Sequence, residues 1–426
     1  MEEGRNFLKE IENENKAKAM SENKESSFKA SNKAINRIKK EAGADASESS
    51  DAADEENKDA EMESEDKVGD IPMPKSMFAK PPPKFTGKLP KTTATSGDQE
   101  QTTFKSKLTK NYDPVSWSEI FDDREVIEDV IPVYYAGSKG PIIFCIHGAG
   151  HSALSYAPLA KEVKDFARIV TFDLRGHGGH HIDDETNMPI GILMDECMTV
   201  LKHVLQKYHE SSVIICGHSL GGALAAKLTY NIIHPDDTNK DFGFDTNQIK
   251  GLFVIDVAEG SALSALPYME QIVESRPKSF ESIQEAIKWG IMSGQVKQLE
   301  SARITMPDLI IKEGNKYVWR TDLLGSKDNW KEWFEGMNKC FLNCDIPKTL
   351  VIASNDRMDK ELTIAQMQGK FKLASLYDVG HTIQEDAPKN LAEKFKEFIN
   401  VFMIQEKYNQ KKVITNASGK QIVIDH

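Results

Sequence analysis

Short apolar runs alternate with longer amphipathic stretches from about residue 112 onward. The apolar runs are the length of buried strands, and segments long enough for helices lie between most of them. The predicted strands cover residues 131–135, 141–146, 168–172, 213–216, 252–255, 349–353 and 374–377. This order is typical of an α/β fold, in which a mostly parallel, doubly wound sheet carries helices on both faces.

The alternation is interrupted between two late strands, from about residue 261 to 343. This stretch has helix-like segments at 279–292 and 329–342 and contains four large aromatic residues, Trp289, Trp330, Trp333 and Phe334. An insertion at the carboxyl edge of such a sheet lies over the crevice where ligands bind. We therefore expect a helical cap whose aromatic side chains mainly form its own core.

The first 110 residues have a different composition from the rest. They are rich in Lys, Glu, Asp, Ser and Asn and contain few large apolar side chains. Such a segment buries too little surface to offset the entropy that ordering costs. The predicted organisation is a disordered charged tail over 1–110, an α/β domain over 111–405 with its cap at 261–343, and a C-terminal extension over 406–426.

Charge and cysteine content exclude several functional classes. The net charge of -12 argues against a general nucleic-acid binder. The sequence contains no run of eighteen apolar residues, so it predicts no membrane-spanning helix. Its first residues do not resemble a secretion signal. The five cysteines are odd in number and scattered, which is typical of free thiols in a reducing compartment. We expect a cytoplasmic or nuclear protein.

Residues 217–221 read Gly-His-Ser-Leu-Gly and carry the strongest chemical signal. They follow a predicted strand and precede a helix-like stretch, which puts Ser219 at the tip of a sharp strand-to-helix turn. Glycines on either side allow the backbone to turn tightly. This pattern predicts a nucleophile elbow.

A serine nucleophile needs a base to take its proton and an acid to orient that base. His381 follows the last predicted strand and is the expected base. Two aspartates end successive strands, Asp256 and Asp356, and either is within reach of a loop histidine. The usual order of elements favours the later one, Asp356.

The oxyanion formed during acyl transfer needs two N–H donors. One is expected from Leu220, directly after the nucleophile. The other is expected from Ala149, in the turn that follows the predicted strand at 141–146.

Two other interpretations compete for nearby residues. The stretch Gly148 to Ala153 fits a dinucleotide fingerprint, with Asp173 at the position of a ribose-binding acid. The His-rich stretch at 175–185 resembles a metal cluster, although a loop beside the site explains it equally well. Cys340 and Cys344 lack the further ligands of a zinc site.

Several longer strings closely resemble the protein phosphatase methylesterase family of the α/β-hydrolase superfamily, from about residue 113 to 388. They are HGAGHSALSY at 147–156, GHSLGG at 217–222, IDVAEG at 255–260, RPKSF at 276–280, LESAR at 299–303 and LTIAQMQGKF at 362–371. The resemblance implies an α/β-hydrolase fold with a helical cap. It also implies that Asp256, rather than Asp356, is the acid beside Ser219 and His381.

The same resemblance implies a function. The expected activity is removal of the methyl group from the C-terminal leucine methyl ester of the type 2A protein phosphatase catalytic subunit, with no metal or organic cofactor. Met367 and Phe371 are the candidates for contact with that partner. Two alternatives stay open: a general small-ester hydrolase of this fold, and a binding protein that sequesters inactive phosphatase.

Overall fold

The computed structural model describes residues 111–209, 211–235, 241–354, 357–402, 412–415 and 421–424. The predicted tail over 1–110 and the candidate acid Asp356 lie outside these residues, as does most of the predicted C-terminal extension.

The strands fall into one large sheet and two separate hairpins. In chain order they are β1 (Asp123–Ile127), β2 (Ile131–Ala136), β3 (Ile142–Ile146), β4 (Arg168–Phe172), β5 (Val213–His218), β6 (Ile249–Ile255), β7 (Ile310–Glu313), β8 (Lys316–Trp319), β9 (Lys348–Ile352), β10 (Lys372–Ser375), β11 (Lys412–Thr415) and β12 (Gln421–Ile424). The large sheet has the order β1-β2-β4-β3-β5-β6-β9-β10. Only the pairs that involve β2 are antiparallel in it, so the predicted mostly parallel sheet is confirmed.

Helices cover both faces of this sheet. They are α1 (Ala157–Val163), α2 (Ile190–Lys207), α3 (Leu220–Ile233), α4 (Glu259–Ser275), α5 (Ile283–Ser293), α6 (Leu299–Asp308), α7 (Trp330–Phe334), α8 (Met337–Asn343), α9 (Lys360–Met367), α10 (Ile383–Asp386) and α11 (Pro388–Phe402).

Strand β3 shows why the predicted strands are continuous apolar runs. Its side chains point alternately to opposite faces of the sheet. Phe144 belongs to the core that also contains residues of α2 and α3, whereas Cys145 belongs to the core shared with α1 and α11. Because both faces are covered, every position of β3 is buried.

The chain between β6 and β9 forms the cap. It contains α4 to α8 and the β7–β8 hairpin, with a small core of its own around Phe280, Ile287 and Met306. The predicted helix at 329–342 is wrong as one element, because Gly336 adopts a φ of 80° and separates α7 from α8. Trp330, Trp333 and Phe334 are buried in the main core rather than in the small core of the cap.

All five cysteines are free, and four of them are buried. Within the described ranges, no helix is both long enough and apolar enough to cross a bilayer.

Candidate active site

Ser219 lies at the sharp turn between β5 and α3. Its backbone has φ 53° and ψ -119°, a strained conformation for a residue with a side chain. The flanking glycines are required by close backbone contacts. A Cβ on Gly217 would be 1.8 Å from the Gly221 carbonyl oxygen, and one on Gly221 would be 2.0 Å from that of Ile146. The glycines therefore permit the turn and hold α3 close to the sheet.

Asp256 and His381 meet beside this turn. Asp256 directly follows β6, also with positive φ (54°), and its side chain is fully buried. The distance from His381 Nδ1 to Asp256 Oδ2 is 2.7 Å. The Ala353 N–H donates to the other carboxylate oxygen, Oδ1, at 2.8 Å. With Nδ1 donating to the carboxylate, His381 Nε2 is left as the basic nitrogen.

Arg357 is a further member of this group, and we did not predict it from the sequence. Its fully buried guanidinium places Nη2 3.2 Å from Asp256 Oδ2, while Nη1 lies 3.4 Å from His381 Nδ1. A buried carboxylate is stabilised by such a partner. In the sequence, the run of charges at 356–360 is equally typical of a surface ion-pair cluster. Only the position of Arg357 in the loop after a strand, five residues past the end of β9 at Ile352, is a hint of the site.

The surroundings of His381 favour its neutral form. One third of its side chain is exposed, and its backbone carbonyl accepts a hydrogen bond from His218 Nε2 at 2.9 Å. Burial lowers the pKa of His381 below its usual value, and the nearby Arg357 lowers the pKa further, against the opposing effect of Asp256. A neutral imidazole at neutral pH is the state that a general base needs.

Ser219 and His381 are not hydrogen-bonded to each other in this structure. Within the described part of the chain, the Ser219 hydroxyl has no hydrogen-bond partner. The two are brought to the same place by His218, which directly precedes Ser219 and packs its ring 4.6 Å from the ring of His381. Contacts of this kind often tighten only when substrate binds.

The turn at 147–150 lies against the elbow. A Cβ on Gly148 would be 3.1 Å from Ser219 Cβ, which is closer than an ordinary contact. The glycine therefore lets the backbone of this turn approach the serine. The N–H groups of Ala149 and Leu220 donate to no residue that the structure describes. Two unused backbone donors beside a serine are suited to hold an oxyanion.

Two neutral histidines fix the position of this turn. The Gly150 N–H donates to His177 Nε2 at 2.9 Å, and the Leu174 N–H donates to His147 Nε2 at 3.0 Å. Each ring donates its Nδ1–H to a backbone carbonyl, which leaves Nε2 as the acceptor. Burial lowers the pKa of both rings, for His177 to about 4. His177 belongs to the stretch for which a metal cluster was considered, and its side chain contacts the backbone instead.

The residues of the two competing interpretations are occupied with local contacts. Asp173 is buried and accepts hydrogen bonds from the N–H groups of Ala153 and Gly179, at 2.7 and 2.9 Å. Its carboxylate is thus engaged with the backbone rather than facing a ribose site. Among the described residues there is no group of three or more side chains suited to hold a metal ion.

The two candidates for partner contact differ in exposure. Met367, the last residue of α9, is 80% exposed, and Ile364 one turn earlier is 47% exposed. Phe371 is only 8% exposed and packs against the ring of Phe341 at 5.2 Å. The prediction of a surface contact is therefore not supported for Phe371, because its ring forms part of the core.

Comparison with known proteins agrees with this arrangement. Residues 143–394, more than half of the chain, match the model of the Alpha/beta hydrolase family. The solved structure of E-2-(acetamidomethylene)succinate hydrolase is 17% identical, with a TM-score of 0.52 over 65% of this chain and 98% of that one. This likeness shows the fold alone. The protein is an α/β hydrolase of the serine ester hydrolase class.

Closer relatives narrow the class. The chain is 41% identical to the probable protein phosphatase methylesterase 1 of Caenorhabditis elegans, over 66% of this chain and 76% of the relative. It is 32% identical to protein phosphatase methylesterase 1 of Bos taurus and of Homo sapiens, over 68% of this chain and 87% and 85% of those proteins. It belongs to the protein phosphatase methylesterase family.

Proposed function

We propose that this chain removes the methyl group from the C-terminal leucine methyl ester of the catalytic subunit of a type 2A protein phosphatase. The observation that carries the proposal is the 2.7 Å contact between His381 Nδ1 and Asp256 Oδ2, beside the turn that presents Ser219. The printed names of the relatives point to a phosphatase as the substrate.

In the first half of the reaction, Ser219 attacks the ester carbonyl carbon while His381 Nε2 takes the proton of the hydroxyl. Asp256 stabilises the imidazolium that results. The N–H groups of Ala149 and Leu220 hold the negative oxygen of the tetrahedral intermediate. The intermediate then expels the methoxy group, which takes the proton from His381 and leaves as methanol.

In the second half, a water molecule attacks the acyl-enzyme as His381 takes one of its protons. The intermediate collapses, the Ser219 oxygen leaves and is reprotonated by His381, and the phosphatase C-terminus is released as a free carboxylate. Neither half requires a metal ion or an organic cofactor. Arg357 contributes by pairing with the Asp256 carboxylate and holding its orientation, without taking part in proton transfer.

Partner recognition is assigned to Met367 on α9. An unbranched, polarisable side chain that is largely exposed, with Ile364 on the same helix face, is suited to an apolar contact with another protein. A leucine ester is small, so contacts outside the pocket would distinguish the phosphatase from other esters.

The test follows methyl release from carboxymethylated phosphatase catalytic subunit, with a short-chain ester as the second substrate. Wild type, Ser219→Ala and Ser264→Ala are compared; Ser264 is an exposed serine of α4 and serves as the matched control. We expect wild type and Ser264→Ala to release the methyl group and Ser219→Ala not to.

Two other results would contradict the proposal. Hydrolysis of the short-chain ester alone would indicate a general small-ester hydrolase. Tight binding of the phosphatase with no release of methyl by wild type would indicate a sequestering protein.

A further inference from the structure

Arg276 brings a positive charge from the cap to the turn beside Ser219. It directly follows α4 and faces Gly150. A Cβ built on Gly150 would be 2.8 Å from Leu323 Cδ1 and 3.6 Å from Arg276 Nη1. Gly150 in turn follows Ala149, the candidate oxyanion donor. The cap therefore closes on this turn with one apolar and one cationic side chain.

The guanidinium of Arg276 has no anionic partner among the described residues. It makes no hydrogen bond and no ion pair with them, and it lies over the ring of Trp319, at 5.1 Å from Cζ to the ring centroid. Trp319 is itself fixed, because its Nε1–H donates to the Pro277 carbonyl at 2.7 Å. A cation stacked on an aromatic ring is held in place while its N–H groups stay available.

Other arginines near the site differ in this respect. Arg357 pairs with Asp256 at 3.2 Å, and Arg320 pairs with Glu185 at 2.9 Å. Arg276 is partly buried, and burial lowers its pKa to about 10, so it stays charged at neutral pH. A desolvated charge without a partner is unfavourable. Such a cation, held beside a reaction centre, is suited to an anion that arrives with the substrate.

No described side chain between Arg276 and the reaction centre supplies that anion. His151 lies there, with its ring 5.5 Å from that of His218, and its pKa is lowered to about 4, first by burial and then by Arg276. Behind it, Glu385 Oε1 is 3.6 Å from His151 Nδ1, but burial raises the pKa of that carboxyl well above its usual value. The His151 ring is therefore neutral at neutral pH, and burial disfavours the charged form of the Glu385 carboxyl.

We propose that Arg276 is the carboxylate-binding residue of the substrate cleft. Its fork of N–H groups would take a carboxylate of the bound peptide in the space between the cap and the turn at 147–150. Two sources supply this chemistry: the acid freed when the ester is hydrolysed, and an acidic side chain within the last residues of the peptide. The identity of the bound peptide rests on the proposed function. The binding of a carboxylate by Arg276 does not depend on it.

The first arm of the test uses the freed acid. The full chain hydrolyses 4-nitrophenyl acetate while N-acetyl-leucine or its neutral isostere N-acetyl-leucinamide competes. The variants are Arg276→Gln, Arg276→Lys and Lys278→Gln, the last of which removes an exposed charge from the same segment. For wild type and Lys278→Gln we expect the acid to inhibit at least about tenfold more tightly than the amide.

The second arm uses an acidic side chain. Methyl release is compared between N-acetyl-Glu-Leu methyl ester and N-acetyl-Gln-Leu methyl ester. If the side chain is the source, wild type prefers the Glu peptide by about tenfold in kcat/KM, and the acid and the amide of the first arm inhibit alike. In either arm the preference for the carboxylate should shrink to near one in Arg276→Gln and be intermediate in Arg276→Lys.

A preference in one arm that Arg276→Gln removes supports the proposal and identifies the source. A preference that persists in Arg276→Gln, or that Lys278→Gln also removes, overturns it. If Arg276→Gln does not fold, the wild-type measurements are sufficient. Equal inhibition by the acid and the amide, together with equal kcat/KM for the Glu and Gln peptides, would reject the proposal. The first arm needs only 4-nitrophenyl acetate and small acids. Its result can therefore be interpreted even if the phosphatase assay fails.

Discussion

The carboxyl edge of the sheet and the surrounding layer formed by the cap and α9 are built differently. At the sheet edge, Ser219 and Asp256 hold strained positive φ angles of 53° and 54°, fixed by backbone contacts and by buried polar partners. The outer layer packs partly on a small apolar core of its own and partly on the main core, and it presents exposed side chains such as Met292 and Met367.

This difference separates two kinds of function. A strained backbone that is fixed by several surrounding contacts is suited to hold reacting groups in one geometry. An outer layer with exposed apolar and cationic groups is suited to choose among substrates. Changes at the sheet edge should therefore lower the hydrolysis of every ester, whereas changes in the outer layer should affect only substrates that reach it.

The largest effect is expected at His381. His381→Ala removes the base, so kcat should fall on the order of a million-fold for both the methylated phosphatase and a short-chain ester. Steady-state kinetics on both substrates measures this. His209→Gln, which changes an exposed histidine, is the control and should behave as wild type. If kcat fell only for the methylated phosphatase, His381 would act in substrate recognition rather than in catalysis. The distinction between the two regions would then fail.

The next effect separates the two candidate acids. Asp256→Asn keeps the shape of the side chain but removes the charge that supports the His381 imidazolium, so kcat should fall roughly ten-thousandfold. Asp356→Asn should stay within about tenfold of wild type, since the 2.7 Å contact with His381 is made by Asp256. The kinetics of the two variants are compared on one short-chain ester. The reverse order would make Asp356 the acid.

This pair of aspartates shows where sequence reasoning is limited. The elbow could be predicted because its turn, glycines and nucleophile are adjacent in the chain. The acid could not, because Asp256 and Asp356 each follow a predicted strand in the sequence, and the choice between them depends on three-dimensional contacts. Without the family resemblance, the usual order of elements favours Asp356. Arg357 was missed for a related reason, since a charged run normally indicates a solvated surface.

Secondary structure shows the same limit. The seven predicted strands all occur, six of them because burial on both faces gives them continuous apolar runs. The seventh, β10, is a partly exposed edge strand that begins two residues before its predicted range of 374–377. Strand β1 was missed because it is a largely exposed edge strand with the sequence Asp-Arg-Glu-Val-Ile. The β7–β8 hairpin had a usable signal in Gly314 and Asn315 between its strands, a pair typical of two-residue hairpin turns. Its strands are short and partly charged, so periodicity alone did not mark them.

A smaller effect, of a different kind, is expected at Arg357. Hydrolysis needs neutral His381, so kcat/KM should fall as pH drops through the His381 pKa, which lies below the usual 6.5. Arg357 contributes to lowering that pKa. Arg357→Gln should therefore move the acidic limb of the kcat/KM profile to higher pH, and Arg357→Lys should move it less.

The control for Arg357 is Arg320→Gln, which breaks another ion pair of a buried guanidinium, with Glu185. Both Gln variants should lose stability in urea unfolding: Arg357→Gln by about 3 kcal/mol, because Asp256 is fully buried, and Arg320→Gln by less, because Glu185 is about one third exposed and regains water. Only Arg357→Gln should move the limb. If the acidic limb of the kcat/KM profile lay at the same pH in the two variants, Arg357 would have a purely structural role.

The smallest effect on the chemistry, and the sharpest on substrate choice, is expected at Met367. Met367→Asp puts a charge on a side chain that is 80% exposed, so the fold and short-ester hydrolysis should stay within about twofold of wild type. If α9 contacts the phosphatase, kcat/KM for the methylated phosphatase should fall at least about tenfold through KM, because the contact would now desolvate a carboxylate. Met292→Asp makes the same change on α5 at a side chain that is 60% exposed and is the matched control. Equal phosphatase kinetics in the two variants would remove α9 from the recognition surface and leave discrimination to the cleft between the cap and Ser219.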